Sequence, residues 1–162
     1  MPPTAPELEI RSLQIGDDTT AFRTLNEEWI TRHFVLEAPD RVVLSDPEGH
    51  ILEPGGHILM AYANAVPVAT LALIPGPNSS YELSKMAVSP TLRGLGIGRR
   101  LLQHAIAYAR QAGAKSLHLG SSTKLPNAVH LYEAVGFRHV PPAEAGGAAH
   151  YDRADVFMKL TL

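Results

Sequence analysis

The sequence predicts a mixed α/β fold in one domain, and three observations predict it. Short strand-like runs recur at residues 8–13, 58–63, 66–74 and 81–90. A helix-period stripe follows, in which Ile97, Leu101, Ala105 and Ala109 return every four residues while Leu102 and Ile106 widen the face. Apolar strand-like runs then resume at 116–120 and 154–160. Strands, a crossover helix and further strands define a mixed sheet with helices packed on it. With 162 residues, no internal repeat and no linker-like stretch, residues 1–162 read as a single domain able to bury most of its apolar surface.

In chain order, residues 8–13 alternate as an opening strand. Asp17 or Asp18 is placed to cap a helix running towards Phe34, with Phe22, Leu25, Trp29 and Phe34 as its apolar positions. Residues 39–54 are turn-rich and read as a loop with a short helical piece. The runs 58–63 and 66–74 flank Asn64-Ala65 as a hairpin, and Pro75-Gly76-Pro77 forces a second turn. Residues 81–90 form a strand ending at Ser89-Pro90, and the long helix from Ile97 stops near Gly113. A short helix is read around Tyr132, a Gly/Pro/Ala loop over 141–149, and a closing strand over 154–160.

Composition excludes several classes. Hydrophobic content of 45% and charged content of 19% argue against disorder. With no cysteine there is neither a disulfide framework nor a thiol nucleophile. No apolar run approaches the ~20 residues that span a bilayer. The N-terminus lacks a basic region followed by an apolar stretch, so a cytoplasmic location is expected. A pI near 6.4 without a basic aromatic-rich patch argues against nucleic acid. The eight histidines, including His50, His57 and His104, form no His-Glu-x-x-His pattern, so no metal is expected. Net charge is −2, yet residues 1–56 carry eleven acids against four bases, whereas 81–115 carry six bases against Glu82 alone. Positive charge therefore collects around residues 93–100.

That basic stretch contains Arg93-Gly94-Leu95-Gly96-Ile97-Gly98 between a strand and a helix, which suits an anion cradle. Arg99 and Arg100 stand where a P-loop needs Lys and Ser/Thr, and Arg99 stands where a dinucleotide fingerprint needs its third glycine. What fits is Arg/Gln-x-x-Gly-x-Gly/Ala, filled by Arg93, Gly96 and Gly98. This resembles the signature of the GNAT acyltransferases, the general-control-type N-acetyltransferases. About 30 residues on, the segment from Asn127 through Leu131-Tyr132-Glu133 to Gly136-Phe137 resembles the second signature of that family. The resemblance implies a GNAT-like α/β (α+β) fold, with a mixed, mostly antiparallel central sheet and helices on both faces.

It also implies a function: transfer of an acetyl or other acyl group from acetyl-CoA to a primary amine by direct attack in a ternary complex. By position, backbone groups of Met86, Ala87 and Val88 would pair with the pantetheine of coenzyme A. Amides from Arg93 through Gly94, Leu95, Gly96, Ile97 and Gly98 to Arg99 would hold its pyrophosphate, and Asn127 would bond the pantetheine arm. Tyr132 matches the tyrosine that acts as general acid towards the departing thiolate; its ordinary pKa of about 10 suits donation to a thiolate whose thiol pKa is about 8.5. Glu82, eleven residues ahead of Arg93, is the candidate general base, and burial in a strand raises a carboxyl towards neutrality. Glu82 could instead pair with Lys85 or orient a substrate while water relays the proton. His118 is an alternative base, against its reading as a satisfied half-buried imidazole, and His130 points away from Tyr132. Phe22, Trp29 and Phe34 are spaced as core, with Phe34 and Tyr151 as candidate walls of an acceptor site for a small-molecule or peptide amine. The competing readings are a non-catalytic acyl-CoA sensor with the same fold and an assembly protein that forms a homodimer through a sheet edge.

Overall fold

The computed structural model describes residues 7–145 and 151–162. A seven-stranded sheet runs through them in the order β1-β2-β3-β4-β5-β7-β6. Its strands are β1 (Glu9–Ser12), β2 (His57–Ala63), β3 (Val66–Gly76), β4 (Ser80–Val88), β5 (Ser116–Ser121), β6 (Arg138–His139) and β7 (Val156–Thr161). Every pairing is antiparallel except β4 with β5. The helices are α1 (Thr20–His33), α2 (Ala38–Ser45), α3 (Ile97–Gln111) and α4 (Pro126–Ala134). The mixed, mostly antiparallel sheet expected from the sequence is therefore present.

Two apolar layers sandwich the sheet. On one face Leu101, Leu102, Ala105 and Ala109 of α3 pack with Leu59, Leu71, Leu73 and Leu117. On the other, Phe22 and Ile30 of α1 and Leu44 of α2 pack on Ile58, Met60 and Ala72. Central β3 is buried without interruption from Val68 to Leu73, as a strand covered on both faces requires.

Several boundaries differ from the sequence reading. The apolar run of β3 continues through Pro75 to Gly76, and the turn falls after it, with Asn78 and Ser79 both in the left-handed region. The stretch 39–54 is more ordered than a loop, holding α2 and a wide helical turn at Glu48–Leu52. At the start of α2, Asp40 accepts from the Glu37 amide (2.9 Å) and Glu37 caps in return, a reciprocal box spelled with two acids. The N-cap of α1 is Thr19, without a side-chain cap bond, and not Asp17 or Asp18 as expected; Asp18, one residue earlier, accepts from both the amide and the hydroxyl of Thr20. The fully buried stripe of α1 is Phe22, Asn26 and Ile30; Asn26 is tolerated there because its amide donates to the Phe22 carbonyl (3.0 Å). Leu25, Trp29 and Phe34 are only partly buried beside it. The loop read at 141–149 falls partly outside the described residues.

One irregularity positions the site. Opposite β3, Ala72 pairs with Ser84 and Thr70 with Ala87, so Lys85 and Met86 together face Leu71. Lys85 takes φ +55°, which a non-glycine residue adopts only when its surroundings hold it there. The bulge shifts the alternation of the strand. Glu82 and Ser84 lie on the α1 side, Lys85 does too, and Met86 and Val88 are carried to the α3 side.

Candidate active site

β4 and β5 pair only from Ser80–Glu82 against Ser116–His118. Beyond that point β4 runs on to Val88 while β5 turns to β7, and the two strands part. A cleft of about 790 Å³ occupies the gap, walled by β4, the 92–99 segment, α4, the end of α1 and residues 151–154. Main-chain groups of β4 past Glu82 thus have no strand partner on the β5 side.

The glycine loop forms one end. Gly94 (φ +87°) and Gly96 (φ +76°) are left-handed, and a Cβ on either would meet nothing within 4 Å, so conformation is what demands glycine there. Gly96 caps α3 with no side-chain acceptor on the first-turn amides, leaving them as donors beside Arg99. Gly98 is different: a Cβ would stand 3.4 Å from Met86 Cε, 3.6 Å from Val88 and 3.7 Å from Leu131, projecting where β4, α3 and α4 meet. Arg93 reaches across to α1, where its guanidinium bonds Glu28 (2.9 Å) and stacks on Trp29 (4.6 Å), with its buried Nε unpartnered.

Of the positions the resemblance implied for a cofactor, Met86, Val88, Arg93, Gly94, Gly96, Ile97, Gly98, Arg99 and Asn127 line the cleft. The Ala87 side chain is buried on the opposite face with Thr70, and Leu95 packs against the α3-side core. Tyr132 lines the cleft from α4, and among the described residues its hydroxyl reaches only the Met86 thioether, a weak acceptor, at 3.9 Å. Burial pushes that phenol up to about 12. Glu82 also lines the cleft. Burial lifts its carboxyl to about 7, against a smaller downward pull from the Lys85 charge.

His118 does not reach this space. Its Nδ1 lies 2.6 Å from the Glu144 carbonyl and its Nε2 3.1 Å from the Ser116 hydroxyl. A carbonyl only accepts, so Nδ1 carries the proton and Nε2 takes the serine hydrogen bond. Both nitrogens are committed, and the alternative-base reading is corrected. His130 is exposed on α4, away from the cleft, as its offset from Tyr132 implied. Among the described residues no cluster of His, Cys, Asp or Glu is arranged to hold a metal, and no helix is long and apolar enough to cross a membrane.

At the far wall Phe34 and Tyr151, the two candidates read from the sequence, both line the cleft, whereas the charged group behind them was missed. Asp40, fully buried, receives Arg153 through Nη1 (2.6 Å) and Nη2 (2.7 Å) and Lys85 through Nζ (2.9 Å). Burial alone would raise Asp40, but the Arg153 bonds, the Lys85 charge and bond, and the Glu37 amide bring it down to about 2. Lys85 also donates to the Tyr151 hydroxyl (2.7 Å), and Arg153 lies 4.5 Å from the same ring. Trp29 lines the cleft too, so it serves the cleft as well as the core. The available signal was Lys85, a lysine inside the apolar half of a strand run.

The sequence model of the Acetyltransferase (GNAT) family matches residues 19–137. A relative described as an uncharacterized N-acetyltransferase, YjgM of Escherichia coli K12, is 27% identical over 151 residues, covering 88% of this chain and 89% of its own. The crystal structure of a GNAT-family acetyltransferase from Staphylococcus aureus superposes with a TM-score of 0.85 at 22% identity, covering 96% of this chain and 99% of that one. A GNAT-family acetyltransferase from Elizabethkingia anophelis with acetyl-CoA bound superposes at 0.71 and 18% identity, covering 96% and 98%.

Proposed function

Because the chain belongs to the GNAT acetyltransferase family, we propose that it transfers an acetyl group from acetyl-CoA to a primary amine, with both substrates held together in the cleft between β4 and β5. One observation carries the reading: where these strands part, a half-buried carboxyl near neutrality, a buried phenol and a glycine loop at a bare helix N-terminus line one space.

The residues present suit coenzyme A. Unpaired main-chain groups along 83–88 can add the pantetheine as though it were a strand. The amides of 94–99 and the Arg99 side chain suit a pyrophosphate. Gly98 keeps clear the volume a Cβ would fill, and Asn127 sits across from it on α4. Bound there, the thioester supplies the acyl group: the amine forms a C–N bond as the C–S bond breaks, one proton leaves nitrogen, and sulfur leaves as thiolate or thiol.

Glu82 accepts that proton. A carboxyl at about 7 is half ionised near neutral pH, so it combines a sufficient population of base with basicity well above an ordinary glutamate. Tyr132 holds its hydrogen against the sulfur. At about 12 the phenol stays protonated over the working range, so its first contribution is a hydrogen bond to developing thiolate charge, and full proton transfer is the harder part of its task. Both act in the same walled space.

The test is release of free thiol from acetyl-CoA in the presence of an amine panel. Turnover should rise with pH through about 7, and Glu82→Gln should remove that limb and lower the plateau by about 10²- to 10⁴-fold. An unchanged pH profile in the variant would remove Glu82 from the reaction. Coenzyme A binding with no thiol release from any amine would make the chain a binding or sensor module instead.

A further inference from the structure

Charge in the cleft is one-sided. Among the described residues lining it, Arg32, Lys85, Arg93, Arg99, Lys124 and Arg153 are cationic and Glu82 is the single carboxylate. Arg93 and Arg99 belong to the glycine-loop end. Arg32 sits beside Arg93, the two sharing Glu28, with Arg93 stacked on Trp29. Lys85, Lys124 and Arg153 surround the opposite end, where Phe34 and Tyr151 supply flat walls. The acids that balance Lys85 and Arg153, Asp40 and Glu37, are not on the lining but behind it. They hold the cations in place and leave donors over. Lys85 gives two hydrogens, to Asp40 and Tyr151, so its third has no partner among the described residues. Arg153 gives Nη1 to Asp40 and Glu37 and one Nη2 hydrogen to Asp40, leaving its Nε–H and second Nη2–H without a partner there. Lys124 is exposed at the mouth, 5.8 Å from the Phe34 ring.

We propose that the acceptor is a small primary amine that also carries an anionic oxygen group, held by Lys85, Arg153 and Lys124 with its amine turned towards Glu82. This rests on the acyltransferase reading and specifies its second substrate. The anion can be a carboxylate or a phosphonate; both present oxygens to a guanidinium edge and an ammonium. A polyamine or other multiply cationic acceptor would meet lining donors, Lys85, Arg153 and Lys124, whose balancing acids Asp40 and Glu37 lie behind them, and would find no carboxylate for its second ammonium among the described residues there. The same charges favour loss of a proton from the incoming ammonium, the state that attack needs.

The experiment uses γ-aminobutyrate, β-alanine and aminomethylphosphonate, each beside a counterpart that keeps the amine but lacks the anion (the primary amide for the carboxylates, the diester for the phosphonate), with putrescine as the dicationic arm. Binding to the protein loaded with coenzyme A is read by calorimetry, and turnover by thiol release. The anionic members should bind about ten- to a hundredfold more tightly than their counterparts; preference between the carboxylate and phosphonate arms identifies the group. Lys124→Gln, on an exposed side chain, and Arg153→Lys, which keeps the charge but not the fork, should each shrink that ratio while leaving the KM for acetyl-CoA unchanged. Counterparts binding as well as acids, or putrescine binding best, overturns the proposal. Thiol release is read separately: anion-selective binding without turnover counts against the acyltransferase reading and leaves the anion site standing.

Discussion

The two ends of the cleft are built from different material. The glycine-loop end is made of backbone: left-handed Gly94 and Gly96, bare amides at the start of α3, and the unpaired edge of β4. The opposite end is made of side chains, a buried Asp40 holding Lys85 and Arg153 with aromatic rings around them. Backbone donors serve any ligand with the right anion and shape. Side chains from distant parts of the chain can be exchanged without disturbing the loop. On the proposed reading, the first end takes the acetyl-CoA donor and the second selects the acceptor.

That contrast predicts that chemistry and scaffolding can be separated by mutation. The largest effect is expected from Tyr132→Phe, which removes one oxygen whose only partner among the described residues is the Met86 thioether. Thiol release should fall by about 10²- to 10⁴-fold with coenzyme A affinity and unfolding midpoint little changed. Unchanged turnover would take Tyr132 out of the reaction and leave the leaving group to solvent.

At the other end the same size of lesion should strike stability. Asp40→Ala leaves the buried Lys85 ammonium without its carboxylate and the half-buried Arg153 with Glu37 alone, a loss of about 3–5 kcal/mol by analogy with broken buried pairs. Urea unfolding would show it. The wild-type contribution has a defined pH window. Asp40 sits below its ordinary 3.8, at about 2, so its stabilisation is complete above about 3.8 and disappears as pH falls towards 2. A loss under about 1 kcal/mol would mean that Glu37 alone can hold Arg153 in place.

Glu82 has the opposite sign. Its folded value is above the ordinary 4.5, at about 7, so the folded chain keeps a proton that the unfolded chain gives up. Its stabilisation is complete below about 4.5 and is lost as pH rises through about 7. The wild-type midpoint, measured against Glu82→Gln, should therefore decline across that interval. A flat difference would mean that the carboxyl is well hydrated, and with it the argument for a base near neutrality would go.

Reading the chain alone located the residues of the backbone-built end and, at the other, the rings of Phe34 and Tyr151 but not the charged group behind them. The strand-loop-helix run, the long α3 stripe and the Asn127–Tyr132 spacing are local, and each is written within a few turns of chain. β6 is two residues long and carries no periodicity to detect. The Asp40–Arg153 pair joins positions 113 apart, and only the fold brings them together. The bulge at Lys85 hid another feature, because strict alternation puts Lys85 on the face of Leu83, whereas the extra residue turns it to Asp40. Burial, likewise a tertiary property, took the Tyr132 phenol to about 12, above the ordinary value of about 10 on which its reading as a ready acid relied.

The smallest expected effect is the sharpest on the donor end, because it divides stability from binding at one carbon. Gly98 lies in the first turn of α3, and the contacts a Cβ would make there, 3.4–3.7 Å, are ordinary van der Waals distances. Gly98→Ala should therefore fold without strain and gain up to about 1 kcal/mol from the lower backbone entropy of the unfolded chain. Yet that methyl would project beside Met86 and Leu131, into the space assigned to the donor. Coenzyme A affinity should fall while the unfolding midpoint rises, and acceptor preference should stay unchanged among molecules that still turn over. If affinity and stability rise together, the donor does not pass over Gly98, and the cradle ends at Gly96.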